Sequence, residues 1–250
     1  MRKRSRRLPP ASCAECAFFL DVDGTLLEIA DTPSTVRVDM DLLELIGRLS
    51  RVSGGALALV SGRSISDLED LLGAQRIPIA GQHGLERRDA AGRLWIHAAP
   101  PGVKCAIKEA LAPVLERHPG LLLEDKGLTL ALHYRKAPNL AAYAHRLMAK
   151  LMVEAGGGLE LQKGKRVVEI KPAGIDKGSA VAEYLTESPF RGRHPVFIGD
   201  DLNDEHGFAE VNRMGGISIK VGPGASCARF RLPGVAAVRT WLNDALKGRQ

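Results

Sequence analysis

Two carboxylates separated by one residue form the segment of this sequence that is best suited to chemistry. Asp21 and Asp23 follow the apolar residues 17–20 and precede Gly24 and Thr25. One carboxylate can attack a phosphoryl group and form an aspartyl phosphate, and a second can give its proton to the leaving alcohol. Asp21 is therefore the candidate nucleophile, and Asp23 is the candidate general acid and base. An acidic turn is the alternative interpretation, because Asp-Gly is a common turn pair.

Groups from three places in the chain could hold the phosphate. Gly24 would allow the backbone to approach a phosphate closely, and Thr25 can donate a hydrogen bond. Ser61 and Gly62 follow an apolar segment and offer a hydroxyl and backbone N–H groups. Lys177 stands where a helix is expected to begin, and its cation could neutralise the nucleophile and the phosphoryl oxygens together. Taken alone, Ser61 could equally cap a helix, and Lys177 could be a solvated surface lysine.

A second acidic segment indicates a metal ion. Asp200, Asp201 and Asp204 place three acids within five residues, directly after the apolar residues 195–198. Carboxylates this close repel one another, and a cation would relieve the repulsion. Mg²⁺ prefers one or two carboxylates together with water and phosphate oxygens. The segment therefore predicts a Mg²⁺ site, and a polar surface loop is the alternative.

The elements that must position these residues alternate between strands and helices. Strands are predicted at 17–20, 56–60, 77–80, 195–198 and 217–221. Helices are predicted at 36–49, 64–72, 176–185, 205–211 and 235–246. This alternation is typical of a parallel α/β sheet, in which functional residues gather at the carboxyl ends of the strands.

The middle of the chain follows a different pattern, which predicts a small inserted α+β domain. A helix at 103–116, which Pro113 should kink or interrupt, precedes a hairpin of strands 121–125 and 128–135. A helix at 140–153 and a second hairpin at 159–162 and 167–170 complete an αββαββ order. The predicted domains are a tail at 1–16, a core at 17–82 and 172–250, and the insertion at 83–171.

The charge of the chain is concentrated in its first residues. The net charge is +6, and residues 1–7 contribute five basic side chains and no acid. A disordered, solvated tail is expected, with a nucleic-acid arm or a targeting segment as the alternatives. The remainder is nearly neutral, which argues against nucleic acid as the main partner. No apolar run reaches the roughly 18 residues of a membrane span, so no membrane partner is expected.

The four cysteines carry little information about function. Cys13 and Cys16 form a single C-x-x-C, whereas Cys105 and Cys227 are isolated. A structural zinc site would need two more ligands at similar spacing, and a redox pair is the other alternative. Reduced thiols in a cytoplasmic protein are the default expectation.

The order and spacing of the acidic, serine and lysine segments resemble the haloacid-dehalogenase superfamily of phosphatases. The resemblance rests on residues 21–25, Ser61, Lys177 and residues 199–204. It implies a Rossmann-like parallel-sheet core with the insertion as a cap that closes over the substrate. It also implies Mg²⁺ bound by the following groups: Asp21, the backbone carbonyl of Asp23, and Asp200, with Asp204 in support.

Within that superfamily, residues 18–246 resemble the trehalose-phosphatase family. The segments that carry the likeness are G-x-H-G at 81–84, E-x-K at 124–126, H-Y-R at 133–135 and E-I-K-P at 169–172. Their polar side chains suit a phosphate ester rich in hydroxyl groups. The substrate-binding residues that the resemblance implies are Arg63, His83, Glu124, Lys126, His133, Arg135, Glu169 and Lys171.

The expected activity is therefore hydrolysis of trehalose 6-phosphate by a cytoplasmic monomer with a functional link to a trehalose-phosphate synthase. Asn203 stands where the family is expected to have Thr, and Glu28 stands where Pro is frequent. These departures leave open another sugar phosphate, such as sucrose phosphate or mannosyl-phosphoglycerate. A non-catalytic protein that binds through its basic tail is the alternative from another class, which the complete set of acids disfavours.

Overall fold

The computed structural model describes residues 15–29, 38–73, 76–156, 158–164 and 166–247. These residues divide into two compact units, one made of the chain up to Ile96 and from Ile175 onward, the other of His97–Gly174. Nearly all of the basic tail predicted at 1–16 lies outside the described residues. Its last residue, Cys16, begins the first strand and is buried.

The first unit contains one eight-stranded sheet within the described residues. Its strand order is β12-β11-β10-β1-β2-β3-β4-β5. The bounds are β1 Cys16–Leu20, β2 Leu57–Val60, β3 Ile79–Gly81, β4 Glu86–Arg88, β5 Leu94–Ile96, β10 His194–Gly199, β11 Ile217–Val221 and β12 Phe230–Leu232. All neighbours from β12 to β3 pair in parallel, which confirms the predicted parallel sheet.

Seven α-helices accompany the strands in the described residues. Their bounds are α1 Met40–Val52, α2 Ile65–Leu72, α3 Val103–Arg117, α4 Ala141–Glu154, α5 Lys177–Leu185, α6 Asp204–Arg213 and α7 Val235–Lys247. The helix predicted at 36–49 begins at Met40, because the side chain of Asp39 caps it by accepting a hydrogen bond from Leu42 N at 2.7 Å. Residues 36 and 37 lie outside the described part.

The central strands are apolar along their whole length because helices cover both faces of the sheet. In β1, Phe18 and Leu20 pack in a cluster with side chains of α1, α2 and α7. The alternate residues Ala17 and Phe19 pack in a second cluster with side chains of α5 and α6. The alternation of side chains along a strand thus sends neighbouring residues into two separate cores.

The boundary of the first unit lies later in the chain than the predicted boundary at residue 82. Strands β4 and β5 form an antiparallel hairpin that continues the sheet beyond β3. The side chain of Arg87 in β4 is buried and forms ion pairs with Glu183 and Glu187, on and just after α5. This hairpin therefore belongs to the core. The hairpin has no clear signal in the sequence, because both strands are short and β4 is highly charged.

The second unit has the predicted αββαββ order. Its strands are β6 Leu122–Asp125, β7 Leu130–His133, β8 Leu159–Gly164 and β9 Val167–Pro172, paired antiparallel in the order β6-β7-β9-β8. Apolar side chains on one face of this sheet pack with those of α3 and α4. Of the two expected effects of Pro113, an interruption of α3 is wrong: the helix continues through it, because proline removes only one backbone donor.

Two further expectations concern membranes and thiols. No helix in the described residues combines the length and the apolarity that crossing a bilayer requires. Cys105 and Cys227 are free thiols. Cys16 is disulfide-bonded, so the expectation of reduced thiols is wrong for this residue.

Candidate active site

The candidate residues of the first unit gather at the carboxyl ends of three adjacent parallel strands. Asp21 follows β1, Ser61 follows β2 and Asp200 follows β10. Lys177 is the first residue of α5, and Asp204 is the first residue of α6. Because β1 lies between β2 and β10, the segments predicted to carry chemistry surround the end of β1.

Lys177 joins two of the acids. Its ammonium group lies 2.7 Å from Asp21 Oδ1 and 2.6 Å from Asp204 Oδ1. Only 2% of the Lys177 side chain is exposed, so water cannot replace these contacts. The other oxygen of Asp21, Oδ2, accepts a hydrogen bond from the Thr25 hydroxyl at 3.2 Å. Asp21 is thus held from both sides at a buried position.

Asp204 organises the loop that precedes it. Its Oδ2 accepts hydrogen bonds from the backbone N–H groups of Asp200 and Asp201, at 2.8 and 2.9 Å. Its Oδ1 receives the ammonium group of Lys177. Both oxygens are therefore engaged by the protein. This arrangement suits a residue that orients Asp200 and Lys177, in line with the supporting role expected for Asp204.

The acids fit a small, hard cation. One carboxylate oxygen each from Asp21, Asp200 and Asp204 lie within 4.8 Å of one another. A side chain at Gly24 would intrude here, since a Cβ atom would come within 2.2 Å of Asp200 Oδ2. An all-oxygen donor set with two carboxylates directed at the ion is what Mg²⁺ prefers. Asp21 accepts one hydrogen bond on each oxygen, whereas Asp204 accepts three in all, so Asp21 and Asp200 would hold the ion directly.

Burial governs the ionisation of this cluster. It raises the pKa of Asp21 to about 6, although Lys177 opposes the shift. Burial also raises the pKa of Asp200 to about 6, with the charges of Asp204 and Asp201 adding to the effect. For Lys177, burial favours the neutral form, but the charges of Asp21 and Asp204 outweigh it and raise the pKa. A bound divalent cation would favour the charged form of each acid.

Asp23 is paired with Arg63, a residue for which substrate binding was predicted. Arg63 Nε lies 2.6 Å from Asp23 Oδ2, and Nη2 lies 2.7 Å from Oδ1. The backbone N–H of Arg63 donates to Ser61 Oγ at 3.2 Å. The structure therefore places Arg63 between the candidate general acid and the candidate phosphate-binding loop.

His83 lies in a turn after β3, and this turn packs on the candidate phosphate-binding loop at Ser61 and Gly62. The backbone N–H of His83 donates to the carbonyl of Ser61 at 2.9 Å. The imidazole lies against Gly62, where a Cβ atom would come within 2.8 Å of His83 Cε1. Gly62 is therefore required for this packing. The structure therefore brings Ser61 and Gly62, which were assigned to phosphate, together with His83, which was assigned to the substrate.

The predicted substrate-binding residues of the second unit lie on the polar face of its sheet or close to it. The buried carboxylate of Glu169 accepts a hydrogen bond from Thr129 and pairs with Lys126 Nζ at 3.5 Å. Lys171, also buried, pairs with Glu160 at 2.9 Å. These charges lie on the face opposite the apolar cluster, as strand alternation requires.

The remaining predicted contacts of this unit are more exposed. Glu124 Oε2 lies 2.7 Å from His133 Nε2, across the pairing of β6 with β7. Arg135 follows β7 and is exposed. The structure thus groups Glu124 with His133 and Lys126 with Glu169, and it gives Arg135 no place in either group.

One further buried cation of the first unit was not predicted from the sequence. Lys220 in β11 is buried, and its register partner in β10 is Gly199, the residue before Asp200. Its ammonium group donates to the carbonyl of Val221 at 3.1 Å, and its charge lowers the pKa of Asp200 against the effect of burial. A lysine flanked by Ile219 and Val221 within a strand-length run was the signal that could have identified it.

Comparison with known proteins shows which family this chain resembles. The trehalose-6-phosphate phosphatase of Escherichia coli (strain K12) is 47% identical over 233 residues, which cover 93% of this chain and 87% of that protein. A bifunctional trehalose-6-phosphate synthase/phosphatase of Thermoproteus tenax is 34% identical over 90% of this chain and 31% of its own length.

The fold of this chain is similar to that of a solved structure. The C-terminal domain of the C. albicans trehalose-6-phosphate phosphatase superposes with a TM-score of 0.76 at 23% identity, over 94% of this chain and 93% of that one. The family model described as trehalose-phosphatase matches residues 19–234. Since this match spans most of the chain, the protein belongs to the trehalose-phosphatase family.

Proposed function

We propose that this protein hydrolyses trehalose 6-phosphate to trehalose and inorganic phosphate through an aspartyl phosphate on Asp21. The observation that carries the proposal is the buried carboxylate of Asp21, held between Lys177 and Thr25 at the end of β1. Such a carboxylate has a fixed orientation and a cation beside it, as a nucleophile for a phosphate dianion requires. Family membership supports the substrate.

Two steps follow from the positions of the acids. In the first, an oxygen of Asp21 attacks phosphorus, the bond to the sugar oxygen breaks, and that oxygen takes a proton from Asp23. In the second, water attacks the aspartyl phosphate and gives a proton to Asp23, and the bond between phosphorus and Asp21 breaks. Lys177 balances negative charge on Asp21 and on the phosphoryl oxygens in both steps.

Mg²⁺ is part of this proposal. Asp21 and Asp200 would hold it with the backbone carbonyl of Asp23, and Asp204 would orient them. When bound, the ion supplies positive charge that shields the phosphate from the carboxylates. Without it, an incoming dianion would meet several carboxylates, and the cations in direct contact with them would be Lys177 and Arg63.

The second unit supplies the groups that would recognise the sugar. Glu124 and Glu169 can accept hydrogen bonds from hydroxyl groups, while Lys126 and Lys171 can donate to hydroxyl or phosphate oxygens. Because Glu169 and Lys171 are buried and already paired, their positions are fixed before a ligand arrives. Fixed polar groups favour one stereochemistry of hydroxyl groups over another.

The test is phosphate release from a panel of sugar phosphates with Mg²⁺ and with EDTA. Trehalose 6-phosphate should give the highest kcat/KM, and EDTA should abolish the release. Equal or faster turnover of glucose 6-phosphate, sucrose phosphate or mannosyl-phosphoglycerate would refute the trehalose assignment.

The nucleophile is tested separately. Asp21→Asn should lower kcat at least about 10⁴-fold, because an amide does not form the phosphoenzyme. Lys247→Met on the surface of α7 is the matched control and should leave kcat unchanged. An Asp21→Asn protein that folds normally and keeps a near-normal rate would remove Asp21 from the mechanism.

The cellular context belongs to the same proposal. A reaction that joins a glucosyl group to a sugar phosphate must supply the substrate, which makes a functional link to a synthase reasonable. A phosphate dianion crosses a bilayer poorly, so a cytoplasmic location is proposed for its hydrolysis. We propose a monomer without a nucleic-acid partner, and gel filtration with light scattering tests the oligomeric state.

A further inference from the structure

We infer that Arg63 is a positioning residue, which holds the carboxyl group of Asp23 toward the oxygen that gains or loses a proton. This inference rests on the proposed function, in which Asp23 is the general acid and base. It assigns Arg63 a role through Asp23, in place of the direct substrate contact predicted from sequence.

The contact is side-on and uses both oxygens of the carboxylate. Arg63 Nε meets Oδ2 at 2.6 Å, and Nη2 meets Oδ1 at 2.7 Å. Two parallel hydrogen bonds from one planar group fix the plane of the carboxylate as well as its distance. A single lysine ammonium group cannot impose that plane, because its donors rotate around one point.

Asp23 needs this support because its side chain is 35% exposed, whereas that of Arg63 is only 16% exposed. An aspartate on a solvent-facing turn samples several rotamers when no partner holds it. Arg63 is itself anchored, since its backbone N–H donates to Ser61 Oγ and its carbonyl accepts from Gln82 N at 2.8 Å. The orientation of Asp23 is therefore tied to the candidate phosphate-binding loop.

The two proposed steps require one orientation of Asp23. Asp23 first gives a proton to the sugar oxygen as its bond to phosphorus breaks, and later removes a proton from the water that attacks from the same side. Each carboxylate oxygen has two lone pairs, so the pairing with Arg63 leaves one on each oxygen for proton exchange. Arg63 can therefore remain close to Asp23 without touching the substrate.

The experiment compares two phosphate esters that differ in their need for a proton donor. The sugar oxygen of trehalose 6-phosphate must be protonated as it leaves, whereas p-nitrophenyl phosphate releases a stable phenolate. Arg63→Lys keeps the charge but loses the side-on pairing, and Arg63→Gln loses both. Because kcat/KM reports steps up to formation of the phosphoenzyme, it isolates the first proton transfer.

We expect kcat/KM for trehalose 6-phosphate to fall about 30-fold or more in Arg63→Lys, within the range of general acid catalysis. For p-nitrophenyl phosphate it should fall less than about threefold. The same variant should show a burst of nitrophenolate close to the enzyme concentration, because hydrolysis of the aspartyl phosphate becomes slow when Asp23 is poorly placed as a base.

Arg213 provides the matched control, since it makes the same side-on pair with Glu210 on the exposed surface of α6, at 3.0 and 2.7 Å. Arg213→Lys should change neither ester's kcat/KM by more than about twofold. Thermal unfolding of each variant checks that the fold is retained. Inhibition by inorganic phosphate should stay within about twofold of wild type in Arg63→Lys, because Arg63 is not assigned to phosphate.

Equal losses for the two esters would overturn the inference, and so would a loss of phosphate inhibition that parallels the loss of kcat/KM. The second result would assign Arg63 to phosphate binding. A wild-type protein that hydrolyses p-nitrophenyl phosphate but not trehalose 6-phosphate refutes the proposed substrate alone. The Arg63 comparison is then made with whichever alkyl phosphate the wild type hydrolyses best.

Discussion

Removal of the Lys177 cation should destabilise the core unit to an extent that depends on pH. Lys177→Met keeps a side chain of similar length but leaves the carboxylates of Asp21 and Asp204 without their ammonium partner. Both contacts are short, at 2.7 and 2.6 Å, and all three side chains are almost completely buried. Water therefore cannot take the place of the lysine.

The magnitude follows from the cost of a buried ion pair that loses one partner, about 3–5 kcal/mol. For a protein of this size, each kcal/mol lowers the unfolding midpoint by about 2–4 °C, which predicts a shift of roughly 6–20 °C near pH 8. In the wild type, burial already raises the pKa of Asp204 to about 8. The two carboxyl groups become still weaker acids when Lys177 no longer opposes that effect.

The sign of the pH dependence follows from these raised values. A carboxyl group whose folded pKa is raised stabilises the folded state at low pH, and this contribution is lost as the pH rises through the folded pKa. The variant should therefore lose less stability at pH 5 than at pH 8. The lysine does not change charge in this range, because its own pKa is raised above the ordinary value of 10.5.

The assay is urea unfolding of metal-free protein at pH 5 and pH 8, followed by circular dichroism. Lys247→Met, which breaks an exposed pair with Asp244, should change the free energy of unfolding by less than about 0.5 kcal/mol. A loss in Lys177→Met below about 1 kcal/mol at pH 8, or an equal loss at the two pH values, would refute the reasoning.

Three further variants test the metal site, the core hairpin and the second unit. Gly24→Ala should weaken Mg²⁺ binding at least about tenfold, because its Cβ would meet Asp200 and its φ of +79° disfavours a side chain; a Mg²⁺ titration of the unfolding temperature measures this. Arg87→Met should lower the free energy of unfolding by about 1.5–3 kcal/mol in urea, because it loses charged hydrogen bonds from a buried position. Hydrogen bonds from Lys104 and Lys108 lower the pKa of Asp125 from 3.8 to about 2, so the wild type should lose the stability that this carboxylate contributes as the pH falls below about 4. Asp125→Asn should abolish that loss, and acid unfolding curves measure it.

Each of these variants has a matched control. Gly92→Ala places a side chain at a similar φ of +82° with no atom within 4 Å, so it should leave Mg²⁺ affinity unchanged. Arg213→Met and Asp244→Asn break exposed pairs and should have little effect. If Gly24→Ala binds Mg²⁺ as well as Gly92→Ala, the proposed ion position is wrong. If the other two variants match their controls, the assigned ion pairs do not stabilise the protein.

Much of the fold was predictable because its signals are local. Apolar runs of strand length alternate with helical periodicity, so the parallel sheet and the αββαββ insertion follow from the pattern. The short hairpin of β4 and β5 was not predictable in this way. Its buried Arg87 pairs with Glu183 in α5 and with Glu187 just after it, nearly 100 residues further along the chain.

The sequence by itself determined which residue types follow which strands. In a parallel sheet, Asp21, Ser61 and Asp200 must then lie at the same end of the strands, and the strand order β10-β1-β2 makes them neighbours. The sequence could not determine which side-chain atoms pair. The contact of Lys177 with Asp21 spans 156 positions, and that of Arg63 with Asp23 spans 40. Only the tertiary structure decided that both oxygens of Asp204 are engaged and that Arg63 holds Asp23, because these roles depend on side-chain distances that no local pattern encodes.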